Sequence, residues 1–235
     1  MMCLSKRDIE VIGNGVLQDY FTRYARRGGD PIKIDVFAKY HLGLGMEYRK
    51  LSDDGRILGI TTYKGVLLGL VVGGEKIEVS VPGNTILLDE ILLRPENERR
   101  RRFTVAHECS HQILSRMEEI QTGHSFRRKF ESGKSYTCNQ IKTIEEWSEW
   151  QANTLAAVLL MPKFRITPQM MYRGKPYIIT SYGGRFSTMD YNIVKELSDS
   201  LLVSKSAMTK RLYDLGFVVK KPESYYLDPL DVIAG

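Results

Sequence analysis

A chain of 235 residues is long enough to bury a sizeable core and fits one or two domains. Its 43% hydrophobic and 26% charged content exclude wholesale disorder. The net charge of +6 can attract nucleic acid or an acidic partner, but it serves solubility equally well. The opening residues MMCLSKRDIEVIGNG lack the apolar run of a secretory signal. The longest aliphatic stretch, GVLLGLVVGG, is too short to cross a bilayer and contains helix-weakening glycines, so no membrane partner is expected. Three cysteines (Cys3, Cys109 and Cys138) form no CxxC pair and no even framework, which favours a reducing compartment. A soluble, cytoplasmic protein is the expectation.

In chain order, residues 5–27 read as a helix. Ser5 can cap its start, Ile9, Ile12, Leu17, Tyr20, Phe21 and Tyr24 recur near helical spacing, and Gly28-Gly29 stops it. Gly13 and Gly15 weaken its middle. After Pro31, DVFAKYHLGLG is a short second helix ending at glycine. From about Met46 to Leu92, short β-branched and aliphatic runs separated by Gly, Asp and Pro-Gly predict a small, mostly antiparallel sheet. RPENERRRR then opens a helix, with Pro95 early and Glu96 and Glu98 at the positive end of the dipole, and this helix runs to about Met117. Residues 118–143 are polar and glycine-punctuated and read as a loop. Residues 144–161 are rich in helix formers and end at Pro162. The elements together make a mixed α+β protein.

The stretch FTVAHECSHQIL, residues 103–114, carries the chemistry. Residues four apart share a helix face, so His107 and His111 can offer two imidazole nitrogens to one ion. Glu108, one position on, flanks that ion without ligating it and can act as a base. This is the HExxH arrangement. The bland alternative is a surface helix with two ordinary histidines. It is weakened by the apolar FTVA and IL on either side, because unpaired polar groups in a buried helix cost several kcal/mol. A catalytic zinc normally takes three protein ligands and a water. His41, on the short second helix, reads as structural, and His124 falls in the loop. The stronger third ligands are Glu145, Glu146 and Glu149, on a helix that can pack antiparallel to the first. The spacing does not choose among the three. Cys109 points away from the two histidines, and Cys138 reads as an ordinary thiol.

RRRRFTVAHECSH followed by EWQANTLAAVLLMP resembles the ImmA/IrrE family of metallo-endopeptidases: an arginine-rich lead into HExxH, then a helix of the form ExxAN…AA…LLMP. The likeness covers residues 85–162 closely and the flanking helices loosely. It implies a zincin-like peptidase core, with His107, His111 and Glu149 as ligands of one zinc ion per chain and Glu108 as catalytic base. A His2Glu set also accepts manganese or iron. Asn153, one turn after Glu149, is then a residue that orients a ligand or packs the helix. Two departures are visible: Cys109-Ser110 replace the usual small glycine, and Thr154-Leu155 stand where an aromatic is common. The implied reaction also needs a donor to the oxyanion, and His124, Tyr136, Arg127 and Tyr172 are the residues that can supply it. The implied substrate is a protein, a helix-turn-helix repressor cut at one site.

Near the end, DYNIVKELSDSLLVSKSAMTKRLYDLGF fits two short helices about a tight turn, with Ser204 capping the second and Gly216 stopping it. That is the helix-turn-helix outline, and Lys205, Lys210 and Arg211 can meet DNA from it. A helical scaffold is favoured over DNA binding, since the outline alone does not imply DNA. The expected division is a peptidase domain over 1–180 and a small helical region over 181–235. Arg99 to Arg102 point all ways round their helix, and some are expected to anchor it through acidic neighbours. The rival reading is a DNA-binding or protein-sequestering regulator with a non-catalytic zinc site.

Overall fold

The structure, a computed structural model, describes residues 3–24, 31–118, 126–127, 144–173 and 178–226. It is a mixed α+β protein with seven α-helices and small sheets among the described residues. The chain divides into two compact units, 1–160 and 161–235. No helix among the described residues is long and apolar enough to cross a membrane.

The first unit opens with helix α1 (Lys6–Tyr24). Ser5 and Asp8 cap it reciprocally: Asp8 N donates to Ser5 Oγ at 3.2 Å, and Ser5 N donates to Asp8 Oδ2 at 2.9 Å. Its buried stripe is Ile9, Gly13, Leu17 and Tyr20. Gly13 is there for proximity rather than flexibility. A Cβ on it would stand 2.5 Å from Val158 Cγ1 of helix α4 (Ile144–Leu160), so the bare glycine lets the two helices close up. Helix α2 (Ile34–Val36) continues as a π-helical turn over Phe37–His41. His41 is a core aromatic there: its ring lies 5.1 Å from Phe37 and 5.6 Å from Tyr20, centroid to centroid. Burial lowers its pKa, a charge on the ring being costly in that cluster, and the Asp19 carboxylate opposes this only in part.

The main sheet has the order β1-β5-β2-β6, with β1 (Gly45–Arg49), β2 (Gly59–Thr62), β5 (Thr85–Asp89) and β6 (Phe126–Arg127). β5 runs parallel to β1, while β2 pairs antiparallel with β5 and with β6. Every residue of β2 and β5 is buried. The pleat sends alternate residues of β2 to opposite layers. Ile60 enters a core with Leu51, Leu68, Leu70, Val81 and Leu87, beneath the hairpin of β3 (Val66–Val72) and β4 (Glu75–Val81). Its neighbours Gly59 and Thr61 face helix α3 (Glu98–Met117). The hairpin reverses at Gly73-Gly74, both at positive φ (65° and 79°), and their amides donate to Asp53 Oδ1 and Oδ2 at 2.7 and 2.9 Å.

Helix α3 follows a 3-10 turn at Pro95–Asn97 and packs on both β2 and α4. Of the arginine run, Arg101 anchors the helix through Nη1 to Asp35 Oδ2 at 2.6 Å, and Arg102 is buried.

The second unit holds α5 (Lys163–Tyr172), α6 (Thr188–Ser200) and α7 (Lys205–Asp214). It also holds a three-stranded sheet of order β8-β7-β9, from β7 (Ile179–Tyr182), β8 (Arg185–Phe186) and β9 (Val218–Lys221). The region read as small and helical thus carries a sheet beside its helices. These strands are two to four residues long, too short to register as period-2 runs, and the Gly183-Gly184 turn was their one clear mark. The second compact unit begins at Met161 and so includes α5. Arg173 Nη2 meets Glu196 Oε2 at 2.6 Å, and Arg211 Nε donates to the Met161 carbonyl at 2.9 Å. Ser204 caps α7 as expected, accepting from Ala207 N at 3.2 Å, and Gly216 (φ 78°) ends it.

Candidate metal centre

Helix α3 presents two rows of side chains one residue apart. His107 and His111 face α4, and Thr104, Glu108 and Gln112 face β2. The second row locks the helix in rotation: Gln112 Nε2 donates to Thr61 Oγ1 at 2.7 Å and to the Thr62 carbonyl at 2.9 Å. Tyr63 Oη stands 3.5 Å from the His111 carbonyl. On α4 the buried side is Trp150, Gln151, Ala152, Leu155, Ala156, Val158, Leu159 and Leu160. That burial turns Glu149 and Asn153, one turn apart, toward α3.

Among the described residues, His107, His111 and Glu149 form a group that could hold a metal ion, with their donor atoms all within 4.8 Å of one another. His107 Nε2 lies 3.2 Å from Glu149 Oε2, His111 Nε2 lies 3.5 Å from Glu149 Oε1, and the two Nε2 atoms are 3.0 Å apart. Ligands about 2.1 Å from a tetrahedral ion stand roughly 3.4 Å from each other, so the cage has the size that a divalent cation requires. The histidines are 1% and 2% exposed, and the Glu149 side chain is 24% exposed.

His107 also has a partner outside the cage. His107 Nδ1 lies 3.1 Å from Asn153 Oδ1. When Nδ1 donates to that amide oxygen, the Nε2 lone pair is left to point at the other two donors. Two imidazoles and a carboxylate that aim lone pairs at one point suit a cation. The donor set joins two imidazole nitrogens to a carboxylate, a combination that can hold a divalent cation.

Glu108 is 2% exposed and does not belong to the donor group. Its carboxylate lies against the bare Cα of Gly59. Glu145 is exposed, and neither it nor Glu146 joins the group. Cys109 is a buried free thiol whose pKa is pushed well up, first by burial and then by the Glu108 charge. Of the oxyanion donors expected from the sequence, His124 and Tyr136 lie outside the described residues, as does Cys138. Arg127 lends its backbone to β6, and Tyr172 is 92% exposed at the end of α5 in the second unit. Sequence reasoning missed Gly59, Thr61 and Gln112. The i, i+4 row running from Glu108 to Gln112 was the signal for the last of these.

Neither a scan against protein-family models nor a search of curated proteins gave a match to this chain.

Proposed function

We propose that the protein is a zinc-dependent endopeptidase of the ImmA/IrrE type, with a zincin-like core, that cuts a DNA-binding repressor protein in the cytoplasm. The observation that carries this reading is the convergence of His107, His111 and Glu149 from two helices, with Glu108 buried beside them. A fourth position left to solvent separates such a set from a closed structural site. A divalent cation held there supplies a Lewis acid for the scissile carbonyl and lowers the pKa of water toward about 7. Glu108 takes the proton of the attacking water and returns it to the leaving amine. His107 is held for its task by Asn153. Manganese or iron can take the place of zinc in such a donor set.

The test has two arms. Metal analysis of protein purified without added ions reads occupancy. Incubation with a proteome-derived peptide library, and with a helix-turn-helix repressor, reads cleavage by mass spectrometry. Cleavage that requires metal and stops in Glu108→Gln, while that variant still binds zinc, supports the peptidase. Derepression that persists in Glu108→Gln indicates sequestration instead.

A second reading has one observation in its favour. Helices α6 and α7 meet across a turn at Leu202 (φ 51°), in the manner of a helix-turn-helix. Against DNA binding, Arg211 is buried on the Met161 carbonyl, and Lys205 Nζ donates to Tyr191 Oη. A salt-dependent shift of operator DNA by the full chain would revive it.

A further inference from the structure

Strand β4 is an edge: among the described residues it pairs with β3 alone. Val81 is its one buried residue, and the apolar Ile77 is 39% exposed. The turn fixes which of its backbone groups face outward. Gly73 and Gly74 both have positive φ, as a two-residue type I′ turn requires, so the flanking Val72 and Glu75 bond each other. Hydrogen-bonded and non-hydrogen-bonded pairs alternate from there. Ile77 therefore bonds Leu70, while the N–H and C=O groups of Lys76, Glu78 and Ser80 point away from β3.

Unpaired edges are templates for another strand, and charged side chains commonly guard them. A guard of one sign repels every copy of itself. Here the charges are Glu75, Lys76 and Glu78, and neither Lys76 nor Glu78 has an ion-pair partner among the described residues. An antiparallel second copy must set outward backbone groups against outward ones, which leaves only registers with a two-fold axis at a residue. An axis at Glu75, Lys76 or Glu78 faces a charge with itself, and one at Val79 leaves Lys76 opposite no strand residue. An axis at Ile77 opposes Lys76 to Glu78 of the second copy, twice, in hydrogen-bonded pairs. It also brings the two Ile77 side chains together in the close pair between them.

We propose that β4 is a self-association edge, through which two copies of this chain join their hairpins into one four-stranded antiparallel sheet in the register centred on Ile77. The contact is short, so the dimer belongs to the weak, concentration-dependent class.

The test is sedimentation of the full chain from about 1 to 200 µM, over which a weak dimer should form. Lys76→Glu and Glu78→Lys, each alone, should weaken it roughly 10–100-fold, because each turns two attractive cross-strand pairs into repulsive ones. An equimolar mixture of these two variants should recover the dimer, the acidic edge of one meeting the basic edge of the other. Ile77→Cys, made with Cys3→Ser, should form a disulfide between the two copies of residue 77, since Cα atoms about 4.5 Å apart are within bridging range. All three side chains are exposed, so folding does not depend on them. A wild type that stays monomeric throughout overturns the proposal and leaves the edge to a strand of another protein. A dimer that both reversals leave intact, a mixture that stays monomeric, or a dimer that forms no bridge at residue 77 overturns it equally.

Discussion

Replacing Asn153 by leucine tests whether the cage is built to hold a cation. The substitution keeps side-chain size and removes the acceptor 3.1 Å from His107 Nδ1. The ring then loses its partner outside the cage. A neutral hydrogen bond is worth about 0.5–1.5 kcal/mol, and one strengthened by charge about 1.5–3 kcal/mol. A cation on Nε2 puts this bond in the second class, because it makes the Nδ1 proton more acidic. Removing such an outer partner typically weakens a metal site 10–100-fold, or about 1.4–2.7 kcal/mol. Asn153→Leu should therefore bind zinc 10–100-fold more weakly, and Asn153→Asp, with a charged acceptor in the same place, more tightly than the wild type. The assay is equilibrium competition for zinc against a chromophoric chelator at fixed pH, with circular dichroism as the check on folding. If Asn153→Leu binds within about twofold of the wild type, His107 is not oriented from α4.

Zinc at about 1,000 times its Kd should stabilise the folded state by about 4.1 kcal/mol. For a unit of this size that is a rise in Tm of roughly 8–16 °C, and Glu149→Ala should abolish both the rise and the binding; a Glu149→Ala protein that keeps the shift would place the third ligand elsewhere. Asp53 gives a pH prediction. Its carboxylate is held down to about 2, first by Lys50 and then by the Gly73 and Gly74 amides. A carboxyl lowered on folding stabilises the native state above its unfolded pKa, about 3.9, and that contribution is lost as pH falls toward 2. Asp53→Asn should therefore unfold more readily than the wild type at pH 6, and the gap should close between about pH 4 and 2 in chemical-denaturation curves. A gap that is constant with pH would show that the carboxylate charge plays no part in holding the hairpin turn.

What the sequence could reveal of this site follows the range of the interactions involved. His107 and His111 were legible because their relation is local: the i, i+4 rule places them together on any helix. The choice of Glu149 over Glu145 and Glu146 was not local. It depends on how α4 is rotated, which is decided by the burial of Trp150, Ala152, Leu155, Ala156 and Leu159, and spacing cannot compare that rotation with the one α3 adopts. The glycines show the same limit. Gly13 reads as a weak point in a helix and is a contact point with Val158; Gly59 reads as nothing in particular and is where a strand touches Glu108. In both cases the residue is chosen by a neighbour far away in sequence.

The two rows of α3 explain why the short motif can carry so much. A ligand pair needs four-residue spacing, and a base needs to stand beside the metal without competing for it. One residue of offset turns a helix by about 100°, which moves Glu108 off the face of His107 and His111 and advances it only about 1.5 Å along the axis, between the two. The histidine row must then meet a helix that brings a carboxylate, and the glutamate row must meet something with room for one. Here α4 supplies the first with Glu149, and β2 supplies the second with Gly59. A Cβ on β2 at that step would stand 2.7 Å from Glu108 Oε1 and 2.8 Å from Thr104 Cγ2, so the close approach of strand and helix there calls for a glycine.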